Sequence, residues 1–145
     1  MKLTEEEPTP IGQFALACEQ MNEFARTMCR SRRFATVTTG QDIRYYKGGE
    51  WSRGGWRLEK WVEAELDKDE GLWAAWWLEL GPHERGWLVE SNVTIGPDIF
   101  SAGLDDRVAT SPQELAEQLT AAVDDLMHAL DRNEQFAEEV RKRMR

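Results

Sequence analysis

Glu59 and Glu79 are the residues of this 145-residue chain whose type and placement could do acid–base chemistry. If the segments that carry them pair as antiparallel strands, the two carboxylates stand opposite each other, with Trp61 opposite Trp77 beside them. One carboxyl with a raised pKa and one with an ordinary pKa would supply the acid and the base of a glycoside hydrolysis. The indoles would stack on the sugar. Such sites sit in deep clefts, and a small sheet offers little depth, so a carboxylate-pair hydrolase ranks third among the functions considered.

The other chemical candidates are weaker. His83 lies in an expected turn beside Glu84, and His128 lies near Asp124 and Asp125. Neither has the histidine i, i+4 spacing or the cysteine pairs of a zinc site. Asp67-Lys68-Asp69-Glu70-Gly71 begins like a calcium loop, but Gly71 falls on the third ligand position and Leu78 on the last. Ser91 lacks the glycine-flanked elbow of a hydrolase nucleophile. Cys18 and Cys29 make no disulfide framework; they share one side of a helix about three turns apart and are expected to be small core residues. The expectation is a protein with no cofactor and no metal.

Charge says more. The net charge is −9, and it is divided unevenly. Residues 1–60 carry ten Lys/Arg and eight Asp/Glu (+2), whereas residues 61–145 carry eight and nineteen (−11). A field of that sign repels phosphate backbones and disfavours nucleic acid as a partner. It attracts a basic protein. The longest apolar run, Leu72–Leu78, is far short of a membrane span, and the polar start MKLTEEEPTP has no secretion-signal core. A cytoplasmic home is expected.

The elements that must position these residues follow from period and punctuation. Residues 1–9 form an acidic flexible tail, and 10–145 a single α+β domain. Thr9-Pro10 has the form of a cap with proline at the first helical position. Phe14, Ala17/Cys18, Met21, Phe24/Ala25 and Met28 then make one apolar stripe on a helix of about five turns. Phe34–Thr39 is a strand that Gly40-Gln41 turns back into Ile43–Tyr46. A glycine-rich loop follows, locally basic and holding Trp51, which could touch a ligand.

Six of the seven tryptophans lie between Trp56 and Ile95. That stretch divides into three alternating segments, Trp56–Leu66, Leu72–Leu80 and Trp87–Ile95, bounded by glycine-containing turns. Placing Leu66 opposite Leu72 and Leu80 opposite Trp87 sorts all three with one register. One face collects Leu58, Val62, Ala64, Leu66, Leu72, Ala74, Trp76, Leu78, Leu80, Trp87, Val89, Ser91, Val93 and Ile95; Trp56 belongs with it, and Lys60 is the one misfit. The other face carries Glu59, Trp61, Glu63, Trp73, Trp77, Glu79 and Glu90. Ile99–Leu104 makes a further short strand. Ser111-Pro112-Gln113-Glu114 is a capping box opening a helix with a stripe at Leu115, Leu119, Ala122/Val123, Leu126 and Leu130. Asp131–Gln135 interrupts it, and Phe136, Val140 and Met144 continue it.

These elements predict a two-layer α+β domain: an N-terminal helix, an antiparallel meander of five or six strands and a long C-terminal helix. The leading function is a non-enzymatic acidic protein-binding module of immunity, inhibitor, chaperone or adaptor type. It would engage a basic protein such as a toxin or secreted client through Trp61, Trp77, Glu59, Glu63, Glu79 and Glu90, with Trp51 nearby. No membrane association is expected, and the chain is a monomer or a homodimer. The alternative is a small-molecule or carbohydrate binder that uses exposed tryptophans. A helix lying over Trp61 and Trp77 would remove both readings.

Overall fold

The computed structural model describes residues 9–31, 34, 36–48, 54–67, 69 and 71–143. The acidic tail therefore lies outside the described residues except for Thr9, which caps the first helix: its Oγ1 accepts from the Gly12 N–H at 3.0 Å. Proline at the first position lacks an N–H that would go unbonded there anyway. Helix α1 runs Pro10–Cys29 and buries Phe14, Ala17, Cys18, Met21, Ala25 and Met28, the stripe read from the sequence. Cys29, the last residue of α1, is exposed, contrary to expectation.

Six strands follow: β1 Thr36–Tyr46, β2 Gly55–Asp67, β3 Leu72–His83, β4 Gly86–Gly96, β5 Phe100–Gly103 and β6 Arg107–Ala109. The sheet order is β1-β2-β3-β4-β5, with β6 also on β4, and every pairing is antiparallel. Helices α2 Pro112–Met127, α3 Ala129–Arg132 and α4 Glu134–Arg143 complete the chain. This is the two-layer α+β architecture expected, with the C-terminal helix broken into three.

A bulge between Glu65 and Asp67 sets Leu72 opposite Asp67 rather than Leu66, but beyond it the register of β2 on β3 matches the sequence reading: Glu59 faces Glu79 and Trp61 faces Trp77. That of β3 on β4 does not. Leu80 faces Val89, and Trp87 faces Pro82. The expected turn from Gly81 to Gly86 is shorter than supposed. β3 continues through Pro82 to His83, and only Glu84 and Arg85 make the turn, where the Arg85 N–H donates to His83 Nδ1 at 3.1 Å. Pro82 is tolerated because β3 pairs β2 only as far as Leu80, so its missing N–H breaks no ladder. The slip is two residues, so every side chain keeps its face.

The turn expected at Gly40-Gln41 is absent; β1 is continuous through both. Gly40 is there because the Trp61 indole lies on it: a Cβ would stand 2.3 Å from Trp61 Cε2. A bare backbone covered by a neighbouring ring is a known device for keeping glycine in a sheet.

The core forms between the helices and the face carrying Val62, Ala64, Leu66, Leu72, Ala74, Leu78, Leu80, Val89, Val93 and Ile95. Trp76 stands at its centre, fully buried, edge-on to Phe24 of α1, Phe34 and Phe136 of α4 at 5.5, 6.4 and 6.0 Å. Gln13 of α1 donates to the Pro112 carbonyl at 2.8 Å and Arg107 of β6 donates to Asp125 at 2.7 Å, tying both ends of α2 into the layer. Ser111 caps α2, accepting from the Glu114 N–H at 3.2 Å. Glu114 reaches back one residue further than a standard box, to the Thr110 N–H and hydroxyl. Those bonds hold its carboxyl below the usual range.

Candidate functional site: the uncovered face of the sheet

None of Trp61, Trp73 or Trp77 belongs to the core between helices and sheet. They stand on the sheet's other face, where the register assembles side chains into rows running across the strands. One row is Asp42–Glu59–Glu79–Glu90, acidic on all four strands from β1 to β4. The next toward the hairpin end pairs Arg44 with Arg57. On the far side come Gly40–Trp61–Trp77–Asn92 and then Thr38–Glu63–Ala75–Thr94. Alternation put each residue on this side, and pairing set them in line.

Four carboxylates in a row repel, and two arginines answer them. Arg44 Nε lies 3.2 Å from Glu59 Oε2 and 3.1 Å from Asp42 Oδ2. Arg57 Nη1 stands 3.7 Å from both Glu79 Oε1 and Glu90 Oε1, while its guanidinium carbon lies 5.0 Å from the Tyr46 ring centroid. Glu59 is 2 % exposed, so its contact with Arg44 takes place largely out of water. Glu79 has its carboxyl pushed up, first by burial and then by the neighbouring Glu90; Arg57 opposes the shift and Glu59 adds to it. Burial and a neighbouring like charge both disfavour the ionised carboxyl, and Arg57 offsets them only in part.

The indoles are half-buried rather than exposed. Trp61 and Trp77 stack on each other with centroids 5.1 Å apart and planes 10° from parallel. Trp61 also covers Gly40, and Trp73 covers Gly96 in the same manner. The expected residues Glu59, Trp61, Glu63, Trp77, Glu79 and Glu90 therefore do share one face, and no helix packs on the tryptophan pair among the described residues. Glu63 is the exposed member, Glu79 and Glu90 are half-buried, and Glu59 is buried. Trp51, the seventh expected residue, lies outside the described residues.

A second surface was missed by sequence reading. Ile11 of α1, Ile43 and Tyr45 of β1 and Trp56 of β2 are all exposed, on the helix side of the sheet, with the first turn of α1 bordering the patch. Trp56, expected in the core, is 65 % exposed and lies against Tyr45 with centroids 5.2 Å apart. A groove of about 560 Å³ runs there between Ile11, Ile43, Trp56, Leu58, Pro82 and Trp87. A neighbouring groove of about 540 Å³ is lined by Ile11, Phe14, Ile43 and Leu58 with Asp42 and Glu59 at its border. Glu79 does not line it, so the two carboxylates of the hydrolase reading do not converge on that space. The available signal was the alternation Gln41-Asp42-Ile43-Arg44-Tyr45, which is that of one unbroken strand.

Among the described residues no cluster of three or more histidine, cysteine or acidic side chains is placed to hold a metal, and no helix is long and apolar enough to cross a membrane. His128 Nδ1 sits 3.1 Å from Asp124 Oδ1 on the outer helices, away from the sheet's open face. Asp124 has its carboxyl lowered, chiefly by the Arg132 hydrogen bond. No protein-family model matches this chain, and neither a curated protein nor a solved structure does.

Proposed function

We propose that this protein is a non-enzymatic binding module that takes a basic protein partner on the uncovered face of its sheet. The observation that carries the reading is the acidic row Asp42–Glu59–Glu79–Glu90 running beside a stacked Trp61–Trp77 pair that no helix covers. Six acids (Asp42, Glu59, Glu63, Glu65, Glu79, Glu90) share that face with Arg44 and Arg57. Tryptophan within a charged rim is the usual composition of an interface hot spot. The excess acid would steer a cationic partner and exclude anionic ones. An incoming arginine or lysine would also offset the Glu90 repulsion that adds to burial in raising the Glu79 carboxyl. Work in the cytoplasm as an immunity, inhibitor, chaperone or adaptor protein fits this chemistry.

Sugar binding is the lesser reading, because each indole of the pair already spends one ring face on the other. The test is parallel capture from the native host with the wild-type chain and with Trp61→Ala/Trp77→Ala. Captured proteins should be basic, should elute with salt, and should be lost with the double variant while its circular dichroism is unchanged. Undiminished capture by a folded double variant removes this face as the site.

A further inference from the structure

β1 is a free edge of the sheet. Among the described residues it pairs with β2 alone, and most of its own residues are exposed. Open edges of this length invite another strand, and natural proteins blunt them with lysine, proline or a bulge. β1 contains neither residue type, and its pairing to β2 runs without a register shift from Thr36 to Tyr46.

We propose that β1 pairs antiparallel with β1 of a second copy of this chain, about a twofold axis at Ile43. The choice of register follows from two charges. With Ile43 facing its own twin, Asp42 of each copy faces Arg44 of the other, and two ion pairs cross the axis on the open side of the joined sheet. Behind Asp42 stands the acidic row Glu59–Glu79–Glu90, and behind Arg44 stands Arg57, so an acidic row of one copy runs into a basic one of the other. Sliding the strands by two residues in one direction sets Asp42 against Asp42, and in the other sets Arg44 against Arg44. Sliding by one turns the second sheet over, so that its charged face continues the apolar face of the first. Among these neighbouring registers, only the first is complementary.

The helix side agrees. There the two Ile43 side chains meet, 62 % exposed in the single chain, and the groove lined by Ile43, Ile11, Phe14 and Leu58 opens beside the contact. An isoleucine exposed to that extent beside Ile11, 70 % exposed, forms an apolar patch that a second copy would cover. In the single chain Asp42 already holds Arg44 and accepts from the Ile43 N–H at 2.8 Å. Association exchanges that Asp42–Arg44 pair for its twin across the axis, with Arg44 keeping the contact that compensates the buried Glu59. The pairing shares Asp42 and Arg44 with the acidic face but leaves Trp61 and Trp77 uncovered, so its test, the oligomeric state, reads separately from capture of the basic partner.

The experiment is light scattering on a sizing column at tens of micromolar, with the full chain. Wild type should elute as a dimer. Asp42→Arg sets arginine against arginine at both crossings, Arg44→Asp sets aspartate against aspartate, and each should be monomeric. An equimolar mixture of these two variants restores both ion pairs and should recover the dimer, which also shows that each variant was folded. A monomeric wild type, a dimer that survives either single change, or a mixture of two folded variants that stays monomeric would each overturn the proposal.

Discussion

Trp76 and Trp77 are adjacent in the chain and live in different molecules' worth of environment. Trp76 points to the helices and is fully buried, with three phenylalanine edges around it. Trp77 points to the open face, half-buried, with one indole stacked on it and a row of carboxylates alongside. The first is hidden by elements from distant parts of the chain. The second is partly covered by a neighbour from its own sheet, the Trp61 ring. Burial by a second layer builds stability, while burial by cross-strand neighbours leaves a surface that a partner could still approach.

The sharpest way to break this comparison is to remove each ring in turn. Trp76→Ala should cost about 3–5 kcal/mol, the range for a large aromatic cut from a packed core. Trp77→Ala loses one stacked pair and a half-buried ring, and should cost about 0.5–1.5 kcal/mol. Urea titrations followed by circular dichroism measure both. Equal losses would mean that the open face is as structural as the core.

Next in size is Gly40→Val. Its branched side chain would enter the space now filled by the Trp61 ring. Overpacking of this kind costs about 1–3 kcal/mol, unless the indole swings away into solvent. Either result is legible: a lowered urea midpoint, or red-shifted tryptophan emission at nearly unchanged stability. If neither moves, Trp61 does not lie on Gly40.

The central third was legible because its alternation is nearly perfect, so the helix-facing residues of Leu58–Leu66, Leu72–Leu80 and Trp87–Ile95 were sorted correctly even where pairing was not. The β3–β4 slip came from counting Gly81 and Pro82 as turn, when glycine and proline are allowed where one side of a strand is unpaired. Strand β1 was cut in two at Gly40 because a glycine under a tryptophan from the next strand looks, in sequence, like any turn glycine. β6 is three residues long, too short to show a period. The break before α4 was visible as Asp131–Gln135, and Asn133 within it caps the new helix by accepting from the Phe136 N–H at 2.9 Å. Trp56 was misplaced for a reason no alternation carries: whether an apolar face is covered depends on where α1 lies across the sheet. The candidate site shared both fortunes. Its members on β2 and β3 and their register could be read, but the place of Glu90 opposite Glu79 was lost with the β3–β4 slip, and the burial of Glu59 and the stacking of Trp61 on Trp77 depend on side-chain conformation.

The smallest expected effect tests the electrostatics that separate the two faces. Burial and the Glu90 charge raise the Glu79 carboxyl in the folded chain, so the native state binds its proton more tightly than the unfolded state does. Stability from this group therefore rises as pH falls from neutral through the raised pKa toward the ordinary glutamate value, and is lost again as pH climbs. Glu79→Gln fixes the neutral form. It should stabilise the protein slightly at neutral pH and flatten that part of the pH profile, whereas Glu114→Gln, whose carboxyl is lowered by Thr110, should destabilise at neutral pH and converge with wild type in acid. The two difference curves against wild type should thus have opposite signs at neutral pH. Curves of the same sign would mean that Arg57 has already neutralised Glu79, and that the open face carries no unmet demand for a cation.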